Sequence, residues 1–360
     1  MMAEEQAFAC HVDAEELRCF IEQALAIRGA DEPSRQAVAQ ALVIASLMGT
    51  DSHGVRLLPH YLQALSGGRI NGAPQLMLNR RLPATAVLNA DNAFGHLAGY
   101  RAIQHACDMA REVGIGAVAV SHSSHFGAAG CYALAAAEQG MVGMAMCNSD
   151  PFVLLHGSRR PFHGTNPIAF AAPVEGDNPL LLDMATSAIP WNRVQQYAAI
   201  GRDLPPDIAA TTTGETTTDA SQAEALLPLG GAGFGFKGAG LACMVEVLSS
   251  MLANMLNGFR LLPMAGPDMT TPRGVGHFFL VMNPEAFTER AHFQARMQEY
   301  LADLRSMEPV QGRQVLAPGD REWNQREQRR RQGIPLDWAQ RDAYRDIALQ
   351  LGLERLNERP

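Results

Sequence analysis

Lysine is almost absent from this sequence. Only Lys237 among the 29 Lys and Arg residues of the 360-residue chain is a lysine, so 29 − 1 = 28 are arginine. The 37 Asp and Glu residues bring the formal net charge to −8. A nucleic-acid surface needs a stripe of cations to neutralise phosphates, and this balance argues against one. Arg326 and the run Arg329 to Arg331 are the exception, and we interpret them as a solvated face of a late helix or loop.

A secretory signal, a membrane span and a disulfide framework are missing as well. Glu4 and Glu5 lie near the N-terminus and no long apolar stretch precedes His11, which excludes a signal peptide. The longest apolar stretch, 238–256, is interrupted by Glu246 and other polar residues, so it predicts a buried helix. The six cysteines have no CxxC spacing and predict reduced, mostly buried thiols. We therefore expect a cytoplasmic protein that binds neither membrane nor nucleic acid.

Hydrophobic spacing divides the chain into three predicted domains. Residues 1–80 carry apolar side chains at helical spacing, which predicts a helical N-terminal lobe. The candidate caps of its first two helices are Asp13 and Asp31 or Ser34. In residues 81–235 short β-like runs alternate with helices, which predicts a mixed α/β domain. Residues 236–360 predict a helix-rich remainder that packs back on the other two.

The strand candidates predict a mixed sheet. Segments 167–172 and 180–184 follow each other with no helix between them, and strands joined by short turns favour antiparallel pairing. The other main candidates are 85–89, 115–120, 141–147 and 276–282.

The segment 233–238 matches the dinucleotide fingerprint G-x-G-x-x-G, but we reject a Rossmann fold. The preceding residues 226–231 contain a proline and end in a turn, and no acidic residue lies between Glu246 and Asp268 to bind a ribose. A glycine-rich loop that opens a helix beside Lys237 still predicts an anion site, because it exposes backbone N–H groups.

A polar loop, 121–127, lies between a strand candidate and an Ala-rich helix. His122 and His125 stand three residues apart, but no third metal ligand is identifiable nearby, and we predict no metal. Two interpretations stay open. The loop holds the phosphates or ribose of a cofactor, or it is a capped helix start with a partly exposed histidine.

The segment 51–56 combines an imidazole, a hydroxyl group and a guanidinium. His53 can exchange a proton near neutral pH and Arg56 can bind a carboxylate, although a helix cap explains the same residues from spacing alone. No serine lies in a G-x-S-x-G elbow, which argues against hydrolysis. Polar residues also cluster at strand ends in 162–167 and 183–187, where they line a pocket or form turns.

Taken together, the motifs resemble the type-2 malate/L-lactate dehydrogenase family. They appear in family order over about residues 10 to 350: Ser-His-Gly with Arg and Pro-x-Tyr (Ser52 to Tyr61), Ser-x-His-Phe-Gly-Ala-Ala-Gly (Ser123 to Gly130), Gly-Thr-Asn-Pro-Ile-Ala-Phe (Gly164 to Phe170), Asp-Met-Ala-Thr-Ser (Asp183 to Ser187), and Leu-Leu-Pro-Leu-Gly-Gly with Lys-Gly-x-Gly-Leu (Leu226 to Leu241). The family includes ureidoglycolate, sulfolactate and diketogulonate oxidoreductases and Δ1-piperideine-2-carboxylate or Δ1-pyrroline-2-carboxylate reductases, so the resemblance does not fix the substrate.

The resemblance implies an α/β, non-Rossmann NAD(P)-binding fold like that of L-sulfolactate dehydrogenase. Its sheet is mixed and largely antiparallel, with helical N-terminal and C-terminal lobes. It also implies a homodimer with the active site near the interface. The implied reaction transfers hydride between NAD(P)H and C2 of a small 2-oxo or 2-hydroxy acid. The alternatives are reduction of a cyclic or N-alkyl 2-imino acid and a catalytically silent binding protein of the same fold.

The resemblance also assigns roles to individual residues. His53 would donate or accept the proton with support from Ser52, while Arg56 and Thr165 would hold the carboxylate substrate. The implied cofactor-binding residues are His125, Phe126, Gly127, Ala128, Ala129, Asp183, Met184, Ala185, Lys237, Pro318, Gly319, Asp320 and Arg321.

Three departures from the family pattern bear on the substrate pocket and the cofactor loop. Arg56 follows His53 by three residues, where many members have four, and both spacings share one helix face. The segment 188–193 stands where relatives often have Ala-Arg-Gly-Lys, so we expect Trp191 and Arg193 to reshape the substrate pocket and Trp191 and Asn192 to bind the substrate. Four extra residues, 232–235, create the false fingerprint.

The only lysine provides a test, because arginine does not replace a compact ammonium packed against backbone. We expect Lys237→Arg to weaken nicotinamide binding and to leave the fold intact. Titration of nicotinamide fluorescence and circular dichroism measure the two effects. An unchanged cofactor affinity would make the retention of this lysine an accident of composition.

Overall fold

The structure, a computed structural model, describes residues 8–359 and contains three β-sheets flanked by helices. The strands are β1 (Phe8–Val12), β2 (Met77–Leu82), β3 (Thr85–Asn89), β4 (Ile115–Ser123), β5 (Val142–Cys147), β6 (Val153–Leu154), β7 (Pro161–His163), β8 (Ile168–Ala172), β9 (Leu180–Met184), β10 (Ala209–Ala210), β11 (Ala225–Leu226), β12 (Val275–Met282) and β13 (Ile334–Asp337). The helices are α1 (Ala14–Ile27), α2 (Glu32–Leu47), α3 (Leu58–Ser66), α4 (Gly95–Val113), α5 (Gly130–Ala137), α6 (Trp191–Ala199), α7 (Gly231–Phe234), α8 (Phe236–Glu246), α9 (Arg290–Ser306), α10 (Asp320–Gln332) and α11 (Trp338–Leu351).

The largest sheet has seven strands in the order β2-β3-β4-β12-β5-β8-β9. β3 and β4 pair in parallel, and the other neighbouring pairs in this sheet are antiparallel. The predicted mixed, largely antiparallel sheet is confirmed. β3 and β9 have the bounds that the hydrophobic pattern predicts.

Helices α4 and α5 cover one face of this sheet with small side chains. Ala102, Ala106 and Ala133 are completely buried there. Gly116 on β4 explains the close approach of α4, since an added Cβ would collide with the Ala106 carbonyl oxygen. On the opposite face α8 packs through Val245 against a smaller apolar cluster.

The two ends of the chain form one lobe. Helices α1, α2 and α3 share a core with α11, and β1 pairs with β13. Asp13 and Asp31 cap α1 and α2 by accepting hydrogen bonds from backbone N–H groups of the first turn, as the sequence predicts. The division of the chain at 80 and 235 into three domains stays a prediction.

A four-stranded sheet of short strands, β10-β11-β6-β7, forms a separate layer against α6. The Thr-rich segment 210–221, predicted as a loop, lies beside it and holds only the end of β10 and part of a 3₁₀ turn, Ala220–Gln222. The false fingerprint, 233–238, lies across the end of α7 and the start of α8. Within residues 8–359, no helix is both long and apolar enough to cross a bilayer.

The prediction of a buried helix over 238–256 was wrong in two respects. Helix α8 ends at Glu246 and continues as a π-helical turn, Val247–Met251. Ser250 Oγ donates a hydrogen bond of 2.6 Å to the Glu246 carbonyl oxygen, and such bonds loosen the helical ladder. The outer face also stays exposed, as at Met251 and Leu252, because an apolar stretch does not reveal whether its own chain covers it.

Candidate active site

The segment 51–56 forms two tight 3₁₀ turns between α2 and α3. Gly54 separates them, and a Cβ at this position would collide with the Ser46 hydroxyl group of α2. That hydroxyl accepts a hydrogen bond of 3.0 Å from the Val55 backbone N–H. Tyr344 of α11 donates a hydrogen bond of 2.9 Å to the Val55 carbonyl oxygen. The segment is therefore held against helices from both ends of the chain.

Arg329 adds an ion pair to this arrangement, and here our interpretation of the arginine run was wrong. The Arg329 side chain is buried, and its guanidinium binds both carboxylate oxygens of Asp51, at 2.5 and 2.9 Å. It also donates to the Ser46 carbonyl oxygen. Arg330 and Arg331 are exposed, as predicted. The three consecutive arginines look alike in the sequence, so the pattern did not show that Arg329 alone among them is buried and faces the candidate site.

Two histidines meet at the candidate site, His53 from the turn and His125 from the loop after β4. Their rings are stacked with centroids 5.6 Å apart. Ser52 Oγ lies 2.8 Å from His53 Nδ1, and the Tyr61 hydroxyl group lies 2.6 Å from His125 Nδ1. In the described part of the chain, neither Nε2 atom has a hydrogen-bond partner in the protein. Both rings are therefore oriented through Nδ1 and keep Nε2 for another molecule.

Burial and nearby cations keep both imidazoles neutral at pH 7. Burial, together with the positive charge of Arg56, lowers the pKa of His53 to about 4. Burial and the surrounding histidines lower the pKa of His125 well below its usual value. Arg56 itself is exposed, and among residues 8–359 it forms no ion pair or hydrogen bond. A neutral imidazole beside an uncompensated guanidinium suits a substrate that carries both a proton to exchange and a carboxylate.

The loop from His125 to Ala129 fits the polar part of a cofactor. None of its five backbone N–H groups forms a hydrogen bond within the described chain, although most of the loop is buried. Buried backbone donors are normally paired, so a run of free ones indicates a binding partner. Gly127 has a φ of 74°, a conformation that glycine adopts without strain. At this position a Cβ would also lie 3.0 Å from the His96 ring.

Asp183 joins this loop at the end of β9. Its carboxylate accepts a hydrogen bond of 2.8 Å from the Gly130 backbone N–H. A Cβ on Gly130 would lie 2.7 Å from that same carboxylate oxygen. Asp183 is solvent-exposed as a residue, while the protein atoms around its carboxyl group displace water and raise its pKa to about 6. A carboxylate at this position can accept hydrogen bonds from hydroxyl groups such as those of a ribose.

The turn Pro318 to Arg321 lies at the start of the same strand. Its Pro318 carbonyl oxygen accepts a hydrogen bond of 3.1 Å from Leu181 N–H of β9. Gly319 has a φ of 99° and begins α10. An open cavity of about 440 Å³ adjoins the turn, with Asp320 and Arg313 among its lining residues. Strand β9 therefore connects the turn, through Leu181, to Asp183 and its hydrogen bond with Gly130. The assignment of these residues to a cofactor stays a prediction.

Thr165 and Lys237 belong to a neighbouring group that backbone hydrogen bonds hold together. Thr186 N–H donates to the Thr165 carbonyl oxygen at 2.8 Å, Leu229 N–H to that of Thr186 at 2.9 Å, and Gly238 N–H to that of Leu229 at 3.1 Å. Met184 and Ala185 connect this group to Asp183. Lys237 is exposed at the start of α8, with Nζ 5.3 Å from the centre of the Phe234 ring.

Trp191 and Asn192 begin α6, beside the four-stranded sheet of short strands, and are half-buried. The Trp191 ring lies 6.1 Å from the Phe152 ring. Within the described residues, no contact joins either side chain to His53 or His125. Their assignment to the substrate pocket stays a prediction.

Sequence reasoning missed a buried polar centre beside the Thr165 group. The Glu246 carboxylate accepts hydrogen bonds from the Asn166 side chain at 3.0 Å, the Gly258 backbone N–H at 3.1 Å and the Ser250 hydroxyl group at 3.1 Å. Asn166 follows Thr165 directly, so this centre anchors the start of β8 to α8. The signal was present as a lone carboxylate in an apolar stretch, which must be paired when buried.

Comparisons with known proteins agree over nearly the whole chain. A family model described as malate/L-lactate dehydrogenase matches residues 12–343. The chain is 37% identical to malate dehydrogenase of Pyrococcus abyssi, with 96% of each covered. It is 34% identical to ureidoglycolate dehydrogenase (NAD(+)) of Escherichia coli O157:H7, with 88% of this chain and 90% of that one covered.

Solved structures confirm the predicted fold class. The structure of malate dehydrogenase from Pyrococcus horikoshii OT3 matches with a TM-score of 0.88 and 33% identity, covering 96% of this chain and 97% of that one. The structure of delta1-piperideine-2-carboxylate reductase from Pseudomonas syringae matches with a TM-score of 0.83 and 30% identity, covering 94% and 99%.

The Asp51–Arg329 pair predicts a stability difference between two neighbouring arginines. Arg329→Met leaves Asp51 partly buried without its partner, which we expect to cost about 2–4 kcal/mol of unfolding free energy. Arg330→Met removes an exposed charge and should change it by less than about 0.5 kcal/mol. Urea unfolding of both variants measures the difference. Equal losses in the two variants would show that the ion pair does not hold the turn.

Proposed function

The chain belongs to the malate/L-lactate dehydrogenase family, and we propose that it transfers hydride between a nicotinamide cofactor and C2 of a small 2-oxo or 2-hydroxy acid. Its relatives are dehydrogenases, and the chain is an oxidoreductase of that kind. The stacked His53 and His125 rings beside the unpaired Arg56 carry the proposal. They supply a proton-exchanging group, a second polar ring and a carboxylate partner within one short stretch of surface.

His53 exchanges the proton in this reaction. In the oxidative direction its neutral Nε2 accepts the proton of the C2 hydroxyl group while hydride leaves C2. In the reductive direction the protonated ring returns that proton to the oxygen as hydride arrives. Burial first, and then the positive charge of Arg56, lower the pKa of free His53. A bound carboxylate that neutralises Arg56 removes the second of these effects and so raises the pKa of His53 by that part.

The residues that would hold the cofactor are His125 to Ala129, Asp183 and the turn 318–321. When bound, the nicotinamide would supply or accept the hydride. The free N–H groups of the loop would donate to its polar groups, Asp183 would accept from ribose hydroxyl groups, and Lys237 would add a positive charge. These interactions suit NADH and NADPH alike.

Reduction of a 2-imino acid is the second candidate, because a solved reductase of such a substrate shares the fold. The chemistry is nearly the same. Hydride reaches C2 of a C=N bond, and the proton goes to nitrogen in place of oxygen. The same arrangement of His53 and Arg56 serves both substrates, so the substrate atom beside C2 distinguishes them.

We also propose a homodimer that forms through an apolar face around α8. Phe234, Phe236 and Phe259 lie on this face with Val247, Met251, Leu252 and Leu256, and each is half or more exposed. An exposed apolar patch of this kind is typical of a protein interface. Lys237 lies on the same face, so a cofactor that contacts Lys237 would lie beside the partner.

All six cysteines are free thiols, which suits the reducing cytoplasm.

A substrate panel combined with His53→Gln tests the reaction. With a 2-oxo acid and NADH or NADPH, we expect the wild-type protein to consume the nicotinamide absorbance band. The His53 variant should be slower by on the order of 10²–10⁴, with an unchanged circular dichroism spectrum. His292→Gln, at an exposed histidine of α9, is the control and should keep the wild-type rate.

The same assay compares three substrates. If Δ1-piperideine-2-carboxylate, or pyruvate with methylamine, is turned over faster than pyruvate alone, the imino-acid reductase is favoured. Failure of every oxo and imino acid with both nicotinamides would contradict the proposed function. A wild-type rate in His53→Gln would instead contradict the role of that residue.

A further inference from the structure

In the described chain, the Tyr61 hydroxyl group is the only protein group that forms a hydrogen bond with the His125 ring. Tyr61 lies on α3, is completely buried, and its hydroxyl oxygen is 2.6 Å from His125 Nδ1. We propose that Tyr61 is a positioning residue that holds His125 as the neutral tautomer with its proton on Nε2. His125 is then a permanent hydrogen-bond donor to the C2 oxygen of the bound acid. The last step rests on the proposed function.

The number of available protons and acceptors determines that the Tyr61 hydroxyl group is the donor in its hydrogen bond with His125. In residues 8–359 the Tyr61 hydroxyl group has no other hydrogen-bond partner. If His125 Nδ1–H donated to the phenol oxygen, the phenol proton would be left buried without an acceptor, which is costly. The phenol must therefore donate, and Nδ1 accepts. A neutral imidazole that accepts at Nδ1 carries its proton at Nε2.

Packing keeps the phenol in this position. The Tyr61 ring meets the buried His96 ring edge-on, with centroids 4.8 Å apart, and the Phe94 ring at 6.2 Å. It also stacks on the His125 ring at 6.1 Å. Aromatic contacts on several sides fix both the ring plane and the direction of the hydroxyl group. The donor is thus oriented before any substrate arrives.

The charged surroundings of His125 oppose a second proton on its ring. Burial is the largest cause that lowers the pKa of His125, and Arg273 adds a positive charge; His53, His96 and His60 would add to it only when protonated. Nearby Arg273 is paired with the buried Asp150. A doubly protonated His125 would also force the phenol proton away from Nδ1. Geometry and charge therefore favour the same neutral form.

His53 differs because its Nδ1 partner is the hydroxyl group of Ser52, which is half-buried. A serine hydroxyl group rotates freely and either donates or accepts. His53 can therefore gain and lose a proton without leaving a buried donor unpaired, whereas His125 cannot. The two stacked imidazoles divide the work: His53 exchanges the proton, and His125 Nε2–H stabilises the oxygen on which negative charge develops.

Nitrogen-15 NMR of the histidine rings tests the tautomer without any assay of activity. The signals of His125 are assigned in ¹⁵N-histidine-labelled protein by their loss in His125→Gln. We expect a protonated Nε2 and an unprotonated Nδ1 in the wild-type protein. Tyr61→Phe should give averaged shifts for the two nitrogens, because the ring is then free to exchange tautomers. A wild-type proton on Nδ1, or an unchanged spectrum in Tyr61→Phe, would overturn the proposal.

Tyr100→Phe is the matched control, because Tyr100 is a half-buried tyrosine whose buried hydroxyl group has no hydrogen-bond partner among residues 8–359. Its loss should leave the His125 signals and the kinetics unchanged. In Tyr61→Phe we expect kcat to fall by on the order of 10-fold with little change in KM, as for one lost transition-state hydrogen bond. A rise in KM with unchanged kcat would overturn the assignment of the C2 oxygen. If no 2-oxo acid is turned over, the proposed function fails while the ring spectrum still decides the tautomer.

Discussion

The ion pair between Asp51 and Arg329 is the interaction on which the arrangement of the candidate site depends. Asp51 begins the turn that carries Ser52 and His53, and Arg329 lies in the last turn of α10. The first residues of α10 belong to the turn 318–321, which was predicted to bind the cofactor. This turn is hydrogen-bonded to β9 through the Pro318 carbonyl oxygen. One helix therefore connects the turn that carries Ser52 and His53 to the strand that carries Asp183. The N-terminal and C-terminal segments must fold together before the site exists.

Burial gives this site its chemical character. His53 is held neutral mainly by burial and in addition by the positive charge of Arg56. In the proposed reaction, a substrate carboxylate that neutralises Arg56 would remove the smaller of these two effects. The loop from His125 to Ala129 exposes backbone donors at the same place. Lys237, on the apolar face around α8, is part of the proposed cofactor site. These features together support the proposal that the chain binds a nicotinamide without the G-x-G-x-x-G turn of a Rossmann fold.

Local patterns predicted the parts of the fold that local physics decides. Strands β3 and β9 have the bounds that their hydrophobic runs indicate, and Asp13 and Asp31 cap the helices that they precede. The sequence could not show that Arg329 turns inward, because its partner Asp51 is 278 residues away. The same holds for Tyr61 and His125, 64 residues apart. The exposure of α8 also escaped prediction, since an apolar stretch has the same pattern whether its own chain or a second molecule covers it.

A crystal structure with a nicotinamide cofactor and oxamate, an unreactive analogue of pyruvate, tests whether His53, His125 and Arg56 bind the substrate together. We expect the oxamate carbonyl oxygen within hydrogen-bond distance of Nε2 of both His53 and His125, with its carboxylate against Arg56. The nicotinamide ring should stack over C2 of oxamate, with the rest of the cofactor along the loop 125–129 and Asp183. Oxamate bound away from the two histidines, or a cofactor that leaves this loop free, would contradict it.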